Sequence, residues 1–393
     1  MLHRAGRLER HYTDLYAGKL RNGLVSLVPG ADRFNALRRF RGRVAPDLPL
    51  DRVRHFPTLG MMYYLRRTLA GDTERMSAVH LWAGAEFGRK VAGAGFGGAG
   101  AVYTFNTAAL EILRAAKERG LFTVLEQTIA PRQYEEELLA AEERRYPGWS
   151  AAPRRGGRFT LATVEREARE WQLADLITCG SAFVREGIGR CGGPVEKCVV
   201  VPYGVDETFA PVERAAHGGA LRVVSVGEGG IRKGIPCVYE LARRLQGEVE
   251  FRWVGSAGLT PEKTALVAAH VHLVGTVPRN QILDHYAWAD VFLLPSVCEG
   301  SATVIYEALQ TGLPVITTPN AGSLVEDGKT GFVVEAHDVA AMQERLQQLR
   351  NDPALLADMS RAARQCRNLV SLEAYQGRLL RVLNVSEQGR PAP

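Results

Sequence analysis

At 393 residues, 46% of them hydrophobic and 23% charged, the chain has the length for two domains with separate cores and is too apolar to be disordered. Its longest apolar runs have only strand length and Met1 opens no secretory signal, so a cytoplasmic protein without a transmembrane helix is expected. A formal net charge of +6 suits anionic partners: nucleotides, or an acidic membrane face met from the inside through the basic run "NALRRFRGR" (residues 35–43). A solvated arginine-rich loop is the plainer reading of that run, and nucleic acid is not expected as a partner.

In chain order, the opening "MLHRAGRLERHYTDLY" reads as a helix. "MSAVHLW", "GAVYTFN", "LFTVLE" and "ADLITCGS" follow as strands, with helical stretches between. Gly93-x-Gly95-x-x-Gly98 has the spacing of a dinucleotide fingerprint, which needs a strand before it and a helix after it. Here helical "GAEFGRKVA" comes first and "AVYTFN" second, so the glycines cap a helix and a nicotinamide enzyme is disfavoured. "KCVVVPYGVDETFAP" supplies a further strand and a turn with Pro202 and Pro211, placing a domain boundary near Asp206.

From Arg222 the alternation is regular. "LRVVSVGE", "VEFRWVGS", "VHLVGTV", "DVFLLPS" and "LPVITT" are strands; "IPCVYELARRLQ", "RNQILDHYAWA" and "SATVIYEALQTG" are helices. Short, continuously apolar strands between amphipathic helices indicate a parallel sheet covered on both faces, a doubly wound α/β domain. Three helical stretches close the chain. The expected division is 1–205, 206–365 and a tail, 366–393, packed back on the first domain. The six cysteines form no Cys-x-x-Cys pair, which argues for reduced thiols and against zinc.

Two stretches stand where a phosphate could bind. In "VVSVGEGGIRKGIP", Gly227, Gly229 and Gly230 let backbone N–H groups approach an anion, and Arg232 and Lys233 supply charge. Cations are disfavoured at a helix start, so a pair of them there is best explained by an anion between. In "LLPSVCEGSATVIYEALQTGLPVITT", Glu299-Gly300-Ser301 opens a helix at the carboxyl end of a strand, and Glu307 lies two turns on. Glu-x7-Glu recurs at Glu118/Glu126, Glu135/Glu143 and Glu240/Glu248. Only the pair at Glu299 sits where open α/β sheets bind ligands.

"PSVCEGSATVIYEALQTGLPVITT" resembles the signature of glycosyltransferase family 4, retaining enzymes of the GT-B fold. Arg232-Lys233-Gly234 is similar to that family's donor-phosphate loop, and "VVPYGVDETF" to its interdomain strand. The resemblance implies an α/β, GT-B-like architecture, two doubly wound Rossmann-like domains facing across a cleft. It implies a nucleotide-diphosphate sugar (UDP- or GDP-sugar) as donor and a saccharide or lipid-linked acceptor. On that pattern Glu307 accepts bonds from the ribose, Glu299 holds the donor sugar, and Gly300, Ser301 and Ala302 face the phosphates. Arg232 and Lys233 neutralise the departing diphosphate, and the base sits at Thr276-Val277. Eight residues of helix separate the glutamates by roughly 12 Å, about the span from ribose to sugar. No Asp-x-Asp occurs, so no metal or other cofactor is expected.

The sequence departs from the family pattern at Glu228, where an arginine is common, and at Ser323, where a glutamate is common. A first-domain histidine is not evident in "LEQTIAPRQ"; His80, Glu126 or Gln127 are the substitutes, with Asn106 and Ser181 also on the acceptor side. Family members open on an apolar strand, so either this first domain lacks its amino-terminal strand or the start codon is misassigned. The rival readings are a non-catalytic nucleotide-sugar-binding member or partner subunit, and a nucleotide-sugar epimerase.

Overall fold

The computed structural model describes residues 2–19, 43–45, 47–152, 156–214 and 217–388. The chain divides into two compact units, residues 1–126 with 156–177, and residues 127–155 with 178–393.

In the first unit the opening does not form the expected helix. β1 (His11–Thr13) pairs in parallel with β2 (Val53–His55), His11 opposite Val53 and Thr13 opposite His55, as a sheet of two strands. Aromatic and β-branched residues suit such a pairing, and the Tyr12 hydroxyl is further tied to the carbonyl of Gly95. Of the basic run at 35–43, all but Arg43 lies outside the described residues; Arg43 pairs with Asp14 at 2.9 Å.

"MSAVHLW" is also helical rather than a strand. It belongs to a helix, Thr73–Ala94, whose start is fixed by Asp72 accepting a bond from the Arg75 N–H at 2.7 Å. The cap and the alanine-rich continuation outweigh the local apolar run. The helix ends at Gly95 with φ 72°, and β3 (Ala101–Phe105) follows. Gly93 of the apparent fingerprint therefore lies in the last turn of a helix, and Gly95 and Gly98 between that helix and a strand, the reverse of a dinucleotide site. β3 pairs in parallel with β4 (Phe122–Gln127), and with β5 (Leu176–Cys179) and β6 (Cys198–Val200) they form a sheet in the order β3-β4-β5-β6.

The second unit contains β7 (Leu221–Val226), β8 (Val249–Val254), β9 (Val271–Gly275), β10 (Val291–Leu294), β11 (Val315–Thr317) and β12 (Gly331–Val333). All pair in parallel, in the order β12-β11-β10-β7-β8-β9. Neighbouring residues of one strand go to opposite cores: Val223 and Leu293 pack on one face, Val224 and Phe292 on the other. Burial on both faces is why these strands read as unbroken apolar runs. Counted from β7 the order is the doubly wound 3-2-1-4-5-6, which reverses direction between β7 and β10, the place where such sheets bind ligands. β12 and the helix Pro261–Ala268 were not anticipated from the sequence. The tail helix Leu372–Gln388 is held to residues just before Asp206: the Arg378 guanidinium donates to the carbonyls of Pro202 and Tyr203, and the Val205 N–H to that of Val370.

Candidate active site

The two stretches singled out from the sequence leave β7 and β10, so the strand order itself brings them together. After β7 the chain passes Gly227, Gly229 and Gly230, makes a single 3-10 turn at Ile231–Lys233, and enters the helix Ile235–Arg244 through Gly234. Gly234 is left-handed (φ 73°), and a Cβ there would lie 2.1 Å from the carbonyl oxygen of Pro295 at the end of β10. Only glycine permits both that conformation and that crossing. The loops are also stitched by hydrogen bonds: the Val297 N–H donates to the Arg232 carbonyl at 2.8 Å, and the Arg232 guanidinium to the Cys298 carbonyl at 2.9 Å.

At this crossing three charged side chains meet. Glu299 Oε1 lies 2.7 Å from Lys233 Nζ and 2.9 Å from Arg232. Lys233 and Glu299 are buried, 7% and 9% exposed, so neither charge is left to bulk water. Burial alone would push the Glu299 carboxyl up, but Lys233 and Arg232 together hold it below the usual carboxylate range. Two cations against one carboxylate leave these three side chains with a formal charge of +1 beside the crossing backbone turns. That surplus suits an anion of the size of a phosphate.

The helix after Glu299 starts later than the sequence suggested. It runs Thr303–Gln310, with Ala302 at its cap and the Ala302 N–H bonded to the Ala321 carbonyl. Residues 299–301 form an irregular approach instead, because other parts of the fold engage them. The Glu299 N–H donates to Asn320 O, Ser301 Oγ meets the Tyr306 hydroxyl at 2.7 Å, and the Ser181 hydroxyl donates to the Gly300 carbonyl. A Cβ on Gly300 would stand 1.9 Å from the carbonyl oxygen of Thr128. Gly300→Ala is therefore expected to cost about 2–3 kcal/mol through forced backbone displacement. Urea unfolding checks this against Gly93→Ala, where nothing lies within 4 Å of the added carbon.

Glu307 lies on the buried side of that helix, and both of its oxygens are engaged. Oε2 accepts from the Tyr286 hydroxyl at 2.9 Å and Oε1 from Arg279 at 3.0 Å. Burial raises the Glu307 carboxyl above its ordinary range, with Arg279 and Tyr286 pulling it part of the way back. Arg279 also approaches Asp206 at 3.5 Å and lies over the Phe209 ring at 5.0 Å. Neither Arg279 nor Tyr286 was singled out from the sequence. The one available signal was the place of Arg279, two residues beyond Thr276-Val277, which leave the end of β9 with Thr276 exposed and Val277 half-buried.

The remaining residues are distributed as follows. Ser181 caps the helix Ala182–Arg190 and joins the Gly300 turn as described. Gln127 is fully buried, its side-chain amide donating to the Ile129 carbonyl at 3.1 Å. In the first unit, Glu126 is buried at the end of β4 and accepts from the Tyr103 hydroxyl, while Asn106, just beyond β3, donates to Glu167 at 2.9 Å. His80 is not at a strand end. It sits on the exposed side of the helix Thr73–Ala94 with its ring 6.1 Å from that of Tyr63, because the segment around it is helical. Arg132 and Glu135, paired at 3.0 Å, were missed; Glu135 lies close enough to Arg232 to support its charge.

Residues 220–352 match the family model described as "Glycosyl transferases group 1". The GDP-mannose-dependent alpha-(1-6)-phosphatidylinositol monomannoside mannosyltransferase of Mycolicibacterium smegmatis is 29% identical over 262 residues, 60% of this chain and 66% of that protein. The amylovoran biosynthesis glycosyltransferase AmsK of Erwinia amylovora is 31% identical over 190 residues, 44% of this chain and 47% of its own. The chain thus spans between a quarter and two thirds of the length of the curated relatives it matches. Among solved structures, sucrose-phosphate synthase from Thermosynechococcus elongatus aligns with a TM-score of 0.61 at 19% identity, covering 78% of this chain and 79% of its own. Anabaena HepE in complex with UDP-glucose gives 0.59 at 16%, covering 95% and 98%. The chain therefore has the GT-B fold, with two Rossmann-like domains, and its residues 220–352 carry the match to the group 1 glycosyl transferases.

Proposed function

We propose that the protein is a retaining glycosyltransferase that moves a hexose from a UDP- or GDP-sugar to a saccharide or lipid-linked acceptor without a metal ion. The observation that carries this reading is the meeting of Arg232, Lys233 and Glu299 at the reversal point of the second sheet. Breaking a sugar–phosphate bond builds positive charge on the sugar and negative charge on the diphosphate oxygens. Lys233 and Arg232 take the diphosphate; Glu299 holds both cations in place and presents its second oxygen to the sugar hydroxyls. Because the cations are already oriented and partly desolvated, they need little rearrangement as the leaving group gains charge.

Glu307 receives the ribose hydroxyls, and the turn at Thr276-Val277 the base. Residues 1–205 supply the acceptor side and 206–365 the donor side. The relatives lend support on both sides: HepE has been solved with UDP-glucose, the mannosyltransferase is GDP-mannose-dependent and acts on a phosphatidylinositol mannoside, and AmsK serves amylovoran biosynthesis.

Calorimetric titration with UDP and with GDP is expected to show one of the two binding at least tenfold more tightly. Incubation with the matching sugar donors and candidate acceptors should then release the free diphosphate. Binding without release across the panel points to a non-catalytic binder, and an isomerised donor without acceptor to an epimerase. Binding of neither nucleotide removes the reading.

A further inference from the structure

The helix Pro57–Leu69 of the first unit is built the wrong way round for a helix on a protein surface. Its packed side is narrow: Leu59 and Gly60 are buried, the latter against Leu15. Its open side is apolar. Met61, Leu65 and Leu69 recur every fourth residue and are 66%, 59% and 70% exposed, with Met62 and Tyr64 beside them. On a helix that spacing is one continuous stripe, here along roughly 12 Å. A run of five exposed large apolar side chains is not the scatter of single residues that an ordinary surface carries.

The charge carried by the helix itself is of one sign. The helix contains no Asp or Glu, and exposed Arg54, Arg66 and Arg67 lie before it and in its last turn. Of the nearest carboxylates, Asp72 is occupied in capping the next helix and pairing with Arg75 at 3.4 Å. Arg66 lies over the Trp82 ring at 3.9 Å, and Trp82 in turn lines a groove of about 450 Å³ with Leu81, Leu110 and Phe159 and with the charged Glu165, Arg166 and Arg169. The arginine–indole contact is of the kind that sits well at a water–hydrocarbon boundary.

We propose that this face docks on a bilayer containing anionic phospholipid, the stripe of Met61, Leu65 and Leu69 entering the headgroup boundary and the arginines meeting the lipid phosphates. Helices that lie in the membrane plane combine an apolar face with flanking cations in this way. A second copy of the chain fits less well, because two such faces apposed would bring the arginines of both together with no carboxylate on the helix to answer them. The proposal does not depend on the donor site.

The test is co-sedimentation of the full chain with vesicles of phosphatidylcholine alone and of equal parts phosphatidylcholine and phosphatidylglycerol. The protein is expected to sediment with the anionic vesicles, less so at high salt. Met61→Ser with Leu65→Ser and Leu69→Ser should lower partitioning about tenfold or more, since binding scales with the apolar area inserted. Arg67→Glu with Arg54→Glu should weaken it on anionic vesicles. These side chains are exposed, so thermal melting and nucleotide binding should be unchanged, which separates a failure here from a failure of the donor reading. No sedimentation with either vesicle, or full binding by the serine variant, overturns the proposal. So does a serine variant that goes from dimer to monomer by light scattering without lipid, which would assign the stripe to a second copy.

Discussion

Lys233→Ala is expected to lower turnover about 100-fold or more, the usual cost of removing one preorganised partner of transition-state charge. Lys233 is the more buried of the two cations and the closer to Glu299. Its removal takes away a fixed positive charge and leaves Glu299 with Arg232 alone. The formal charge at the crossing then falls from +1 to zero, which also weakens the attraction for a diphosphate. Because negative charge grows on that group only as the bond breaks, the loss should fall more heavily on kcat than on donor affinity. Arg232→Ala should have the same sign; its guanidinium is more exposed and also ties down the Cys298 carbonyl. Single-turnover measurement of sugar transfer decides the matter. Near-normal turnover in both variants would remove the phosphate site.

The second large effect is expected at Arg279, and it is a matter of pH. A buried carboxylate accepts bonds from two ribose hydroxyls only while ionised. Burial pushes Glu307 upward, and Arg279 is the cation that counters it, with the Tyr286 hydroxyl adding a hydrogen bond and Asp206 acting in the opposite sense. Arg279→Ala removes the countering charge, so Glu307 rises further. Below its new value each unit of pH lowers the ionised fraction, and with it nucleotide affinity, about tenfold. Affinity in the variant should thus be weak at acid pH and recover as pH rises, while the wild type loses affinity only at lower pH. Arg279→Lys should restore most of the wild-type profile. Glu307→Ala should bind nucleotide poorly at every pH. A pH profile in Arg279→Ala that parallels the wild type shows that Arg279 does not set the charge of Glu307. If Glu307→Ala binds bare nucleotide normally, the ribose assignment itself is wrong.

Much of the second unit was legible along the chain. β7, β10 and β11 bury both faces, so they announce themselves as short apolar runs whatever their neighbours. Arg232-Lys233-Gly234 and Glu299 through Glu307 could be picked out because both follow such a strand. The first unit was harder to read. "HYT" and "MSAVHLW" are short and ambiguous in period, and their states are set by partners remote in sequence: Val53–His55 for the first, the Asp72 cap and a long helix for the second. His80 was misplaced for that reason.

The sequence by itself determined which segments of the second unit alternate as strands and helices, that the glycines at 93–98 close a helix and precede a strand, and that cations and acids stand at strand ends. Those properties depend on residues a few positions apart. Only the tertiary structure decided that Lys233 and Arg232 meet Glu299 across 66 residues, that Arg279 covers Glu307, and that the helix after Glu299 waits until Thr303. Such pairings follow from strand order and loop crossings, which no local pattern encodes. The side of a helix left uncovered among the described residues is likewise a property of tertiary packing.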